Sequence, residues 1–151
     1  MLAVGGIHLL NAGGDTVKCP NASDHLDGIW DAKTRGSLEA HFRGSTAGPL
    51  EAAWVQAADT LDEYADTWVI AYSVTCDTFV KGNGDRDVLV ARAACLRDRL
   101  VDLENAVASL QVSPTLTTAK TESALAELLA IDECEGNNAR DVGVPGATNR
   151  P

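Results

Sequence analysis

The chain has 151 residues, of which 45% are hydrophobic and only 5% aromatic, and its formal net charge is −10. A chain of this length suits one domain with a core of its own, and its many alanines and leucines favour packed helices over a β-sandwich. The negative charge argues against a nucleic-acid partner and an anionic membrane surface, because both select clustered lysine and arginine.

An apolar run opens the chain, Leu-Ala-Val-Gly-Gly-Ile-His-Leu-Leu at residues 2–10. It is well short of the roughly 20 residues that a membrane-spanning helix requires. Two interpretations stay open. The run is either the outer end of a membrane helix whose upstream part is missing, or an apolar strip that packs on the domain or on a partner. We therefore separate a leader at residues 1–18 from a domain at 19–134.

Apolar residues at helical spacing predict the first two helices. A capping region at residues 21–24 introduces a helix over about 23–43, which the glycines at 44–48 end. Pro49 then suits the first turn of a second helix over about 49–80. Steps of three and four along this second helix define a stripe that consists of Trp54, Ala58, Leu61, Ala65, Trp68, Tyr72 and Phe79.

Two further helices complete an all-α domain. A glycine-rich turn at 81–85 precedes a third helix over about 87–111, and Val-Ser-Pro at 112–114 precedes a fourth over about 117–133. The short connections predict an antiparallel four-helix bundle. The same spacing also suits an intermolecular coiled coil, so a homodimer stays an alternative. Residues 135–151 have no apolar period and are expected to form a flexible tail or linker.

The four cysteines are expected to form two disulfides. Residues equidistant from the turn of an antiparallel hairpin face each other, which favours the pairs Cys19–Cys76 and Cys95–Cys134. Four cysteines permit three connectivities, so this pairing is a prediction. Disulfides persist in oxidising compartments, which indicates an extracytoplasmic location. The cysteines are too scattered for a zinc site, and the three histidines have no ligand spacing, so no metal is expected.

No catalytic or cofactor site is recognisable in the sequence. Asp62, Glu63 and Asp66 mimic the aspartate-rich helix of some magnesium-dependent enzymes, but no second metal-binding helix accompanies them, and a solvated face is the preferred interpretation. The acidic turn at 83–87 imitates the opening of a calcium loop. Leu96 stands where such a loop requires glutamate, which favours helix capping instead.

Four aromatic residues are candidates for binding. Trp54 and Trp68 lie two heptads apart on the stripe of the second helix and are expected to face the core, with a ligand-stacking role as the alternative. Trp30 and Tyr64 belong to two distinctive blocks, Leu-Asp-Gly-Ile-Trp-Asp at 26–31 and Leu-Asp-Glu-Tyr-Ala-Asp-Thr-Trp-Val at 61–69.

The order of these blocks and the cysteines resembles a known family. Other members of the pattern are Arg35, Phe42, Ala-Ala-Trp at 52–54, Ala-Cys-Leu at 94–96 and Arg99. Over residues 19–134 the chain resembles the extracytoplasmic segment of large bacterial serine/threonine protein kinases of the myxobacterial type. In that family the segment follows a cytoplasmic kinase domain and one membrane helix, and it precedes tetratricopeptide-type repeats.

The resemblance implies a sensor or linker module that binds a protein or peptide, or relays a signal, outside the cytoplasmic membrane. It implies contact with the membrane only through a missing or truncated N-terminal helix. The chain has no glycine-rich phosphate loop, no His-Arg-Asp and no Asp-Phe-Gly motif, so no enzymatic activity is expected. A stand-alone secreted carrier or inhibitor is the alternative function.

Overall fold

The computed structural model describes residues 18–45 and 50–135, and within these ranges all regular structure is helical. This result confirms the predicted all-α class. The α-helices are α1 Ala32–Arg43, α2 Glu51–Val80, α3 Arg86–Val112 and α4 Thr118–Ala126. Two 3-10 helices flank them, Ala22–Leu26 and Ile131–Cys134. The predictions for the leader, for Pro49 and for the tail beyond residue 135 lie outside the described residues.

The first helix is shorter than the spacing predicts. Where an α-helix was expected from about residue 23, the chain forms a 3-10 helix and then a turn in which Gly28 has a φ of +79°. Glycine adopts this conformation without steric cost, and it interrupts a continuous helix. α1 begins after Asp31, whose carboxylate accepts hydrogen bonds from the backbone N–H groups of Gly28 and Thr34.

A hairpin of the two long helices organises the core. α2 has 30 residues and α3 has 27, which correspond to about 45 and 40 Å of helix. Both begin and end close to the predicted residues, and most of the stripe predicted for the second helix is buried. The turn between them ends at Asp85, which accepts hydrogen bonds from the backbone N–H groups of Asp87 and Val88. The capping role predicted for this turn is therefore confirmed.

The fourth helix also ends earlier than predicted. Thr117 caps α4 by accepting a hydrogen bond from the backbone N–H of Lys120, but the helix stops at Ala126 instead of continuing to about 133. Ala130 has extended backbone, with φ −60° and ψ 134°, and the 3-10 helix follows. This change of direction buries Ile131 and Cys134, which a continuous α-helix would have placed differently.

Two disulfides join the short elements to the long helices. Cys19 pairs with Cys76 of α2 at a Cα–Cα distance of 5.9 Å, and Cys95 of α3 pairs with Cys134 at 5.5 Å. These are the two pairs that the hairpin spacing predicts. They indicate an oxidising environment. Among the described helices, none combines the length and the apolar composition needed to cross a membrane.

Candidate functional site

A polar cluster connects the N-terminal segment to α2. Asp62 accepts a hydrogen bond from Trp30 Nε1 at 2.8 Å and another from Arg35 Nη2 at 3.1 Å. These hydrogen bonds from Arg35 to Asp62 raise the pKa of the guanidinium, and the same guanidinium lies 5.4 Å from the centroid of the Trp54 ring. The prediction of a solvated face is therefore wrong for Asp62, because its half-buried carboxylate links two elements.

The three tryptophans lie in the core. Trp30, Trp54 and Trp68 are 6%, 4% and 1% exposed, respectively. The indole N–H of Trp68 donates to the carbonyl of Leu96 at 2.6 Å, and Trp54 packs against Phe42 with ring centroids 5.5 Å apart. The expectation that Trp54 and Trp68 face the core is met. The burial of all three rings shows that they pack in the core, while their assignment as candidate binding residues stays a prediction.

Tyr64 holds the segment that follows α4. Its hydroxyl donates to the carbonyl of Leu129 at 2.9 Å, and burial raises its pKa to about 12. The ring also borders a shallow depression of about 430 Å³ together with Leu128 and Asp132. Because the hydroxyl is already bonded to the backbone, Tyr64 acts first as a structural contact.

The groups that could carry chemistry are held in structural contacts. The ring of His25 packs against two aromatic rings: its centroid lies 5.9 Å from that of Trp68 and 5.0 Å from that of Tyr72. His41 Nε2 lies 2.9 Å from the carbonyl oxygen of Ser113. All four cysteines are oxidised, so none is a free thiol. Within residues 18–45 and 50–135, no three histidine, cysteine, aspartate or glutamate side chains are grouped as a metal site would require.

An apolar groove, here called the α2/α3 groove, lies near the turn of the long hairpin. The residues of α2 that line it are Tyr72, Thr75, Cys76 and Phe79, and those of α3 are Leu89, Val90, Ala93 and Arg97. The steps between these residues place each set on one face of its helix. The groove has a volume of about 210 Å³, and among the described residues that line it only Arg97 is charged.

The groove exists because the outer helices are short. α1 has 12 residues and α4 has 9, so each is less than half as long as the helices it packs against. Neither can cover the whole hairpin. Phe79 and Val90 consequently remain 39% and 52% exposed, and the Arg86 guanidinium lies 5.0 Å from the Phe79 ring centroid. The helical spacing predicts Phe79 on the core stripe, so the groove was not expected from the sequence.

The Cys19–Cys76 disulfide fixes the N-terminal segment at one wall of the groove. Cys76 is a lining residue, and the chain continues from Cys19 into the 3-10 helix Ala22–Leu26, which packs on α2. The described residues thus combine an apolar groove with a covalent anchor beside it. No protein-family model, curated protein or solved structure matches the chain.

Proposed function

We propose that this chain is a non-catalytic extracytoplasmic binding module that recognises an apolar segment of a protein or peptide in the α2/α3 groove. The observation that carries the proposal is the exposure of Phe79 and Val90 in a groove that is lined mostly by apolar residues of both long helices. Burial of this apolar surface by a partner would supply the main driving force for association.

The size of the groove favours a few side chains over a bound cofactor. Its volume of about 210 Å³ is below the range of roughly 300–1,000 Å³ that is typical of small-molecule sites. Helical grooves of this kind accept the apolar side chains of an extended or helical peptide. An exposed aromatic residue such as Phe79 is a suitable centre for such a contact.

The test uses Nile red, a neutral apolar dye, and two matched variants of the full chain. Val90 and Val101 both lie on α3 and are 52% and 51% exposed, but only Val90 lines the groove. Val90→Arg should weaken saturable dye binding by roughly fivefold or more, because a charge then lies in the apolar site. Val101→Arg should leave binding unchanged. Equal effects of the two substitutions would contradict the proposed site.

We further propose that the module is an antiparallel four-helix bundle that serves as the sensor or linker of a bacterial serine/threonine kinase. Its support is the resemblance over residues 19–134, together with disulfides that tie the first and last motifs of this range to the long hairpin. A rigid hairpin suits relay, because a displacement at the groove reaches both ends of α2 and α3. The alternative is a stand-alone secreted carrier or inhibitor.

The relay proposal is tested in the full-length kinase that the resemblance implies. Autophosphorylation is measured at matched surface expression for the wild type, for Val90→Arg and for a variant with all four cysteines changed to serine. Both variants should alter basal or stimulated output, and Val101→Arg should not. Unchanged output in both variants would contradict the relay and leave the domain a passive spacer.

A further inference from the structure

We infer that the α2/α3 groove is occupied by the chain's own apolar segment, residues 2–10. This inference rests on the proposed binding role of the groove and names its occupant. The segment supplies leucine, valine and isoleucine side chains, and residues 1–14 include no aspartate, glutamate, lysine or arginine. An uncharged apolar segment suits a groove whose lining is apolar except for two hydroxyl-bearing residues and Arg97.

The Cys19–Cys76 disulfide fixes the point at which the N-terminal residues join the described domain. Cys19 is bonded to Cys76, and Cys76 is itself part of the groove wall. The point at which the residues ahead of Cys19 join the described domain is therefore at the groove wall. A tether of this kind gives an effective concentration on the order of millimolar, which a free partner in dilute solution does not reach.

The length of the tether permits the contact. Nine Cα–Cα steps separate Leu10 from Cys19, and an extended chain of this length spans roughly 30 Å. The groove extends from Tyr72 to Phe79 on α2 and from Leu89 to Arg97 on α3, which is about 12 Å of helix. The segment can therefore reach the whole groove without strain in the connecting residues.

The occupied groove gives the segment a regulatory role. An external partner must displace residues 2–10, so its apparent affinity is reduced by the fraction of molecules in which the groove is filled. When the segment leaves the groove, Phe79 and Val90, which the described domain leaves 39% and 52% exposed, are available to a partner. The groove and the N-terminal segment thus form an intramolecular competition.

Photo-crosslinking of the full chain tests the contact directly. Benzoylphenylalanine replaces Leu9, and the cross-linked chain is digested and mapped by mass spectrometry under non-reducing conditions. We expect cross-links within one chain, on the peptides that contain residues 72–79 or 89–97. Val90→Arg should reduce their yield by roughly fivefold or more, while Val101→Arg should not. Cross-links confined to another surface or to a second copy would overturn the inference.

A second measurement separates this inference from the binding role itself. In the full chain, Ile7→Asp combined with Leu9→Asp should empty the groove and strengthen Nile red binding several-fold, and adding Val90→Arg should cancel this gain. Unchanged dye affinity in the double variant, with Val90→Arg still weakening it, would refute the occupant while leaving the binding role intact. If Val90→Arg leaves Nile red binding unchanged both in the wild type and in the double variant, the proposed occupant and the binding role are both refuted.

Discussion

Asp62 shows how one carboxylate can join two parts of a chain. It accepts hydrogen bonds from a core tryptophan and from an arginine that lies over a second tryptophan ring. In the sequence it is one of several acidic residues on α2, and nothing in its immediate neighbours distinguishes it from Asp66. Its role depends on Trp30 in the turn before α1 and on Arg35 in α1, which reach it only after folding.

Asp62→Ala should therefore lower the free energy of unfolding by about 1–3 kcal/mol, because it leaves the buried indole N–H of Trp30 without an acceptor. Asp66, four residues further along α2, is exposed and serves as the control. Asp66→Ala should change stability by no more than about 0.5 kcal/mol. Urea titrations of both variants give the comparison, and equal small losses would show that the polar cluster contributes little.

Trp68 is the largest fully buried side chain of the hairpin. Trp68→Ala should cost about 3–5 kcal/mol through lost packing and the cavity that remains. Trp68→Phe keeps an aromatic ring but removes the hydrogen bond to Leu96, so its cost should be smaller, about 1–3 kcal/mol. Denaturant unfolding of both variants is the measurement. A negligible effect of Trp68→Ala would contradict its place in the core.

Asp31 should contribute to the acid sensitivity of the fold. Hydrogen bonds from the backbone N–H groups of Thr34 and Gly28 lower its pKa from 3.8 to about 2. Because the folded state holds the ionised form, this contribution is present above about pH 3.8 and is lost as the pH falls towards 2. An NMR titration of the Asp31 carboxyl carbon should show the lowered midpoint, and a midpoint near 3.8 would contradict the cap.

At the scale of elements, the long helices were predictable and the short ones were not. α2 and α3 have unbroken apolar stripes over many turns, and Asp85 gives α3 an explicit cap. In contrast, Leu26 and Trp30 also fit a helical spacing, although they belong to a 3-10 helix and a turn. Spacing over one turn does not distinguish these conformations, because both place residues three or four apart on one side.

Because the first and fourth helices are shorter than predicted, the groove could not be expected from the predicted helices. Predicted helices over about 23–43 and 117–133 would have been long enough to cover much more of the hairpin than α1 and α4 do. The groove is a consequence of helix length, and length is the property that the ends of weak apolar patterns define least well. The tryptophans were more conspicuous in the sequence, but the protein uses them for its own packing.

The Cys95–Cys134 bond should control the end of the domain. Changing both cysteines to serine should lower stability by up to about 4 kcal/mol and speed amide hydrogen exchange in the 3-10 helix Ile131–Cys134. Exchange in the middle of α2, around Leu61, should change much less at matched stability. Uniform acceleration across both regions would show that the disulfide acts on the whole fold instead of on this element.

For the whole molecule, the two disulfides determine the path of mechanical load. Tension applied at residues 18 and 135 passes from Cys19 directly to Cys76, follows the chain to Cys95, and leaves through Cys134. The backbone of α1, of α2 before Cys76, of α3 after Cys95 and of α4 is bypassed. The extensible length falls from roughly 400 Å for the reduced chain to roughly 80 Å for the oxidised one. That short loaded segment includes Phe79, Leu89, Val90 and Ala93, so a pull on the two ends acts on the walls of the groove.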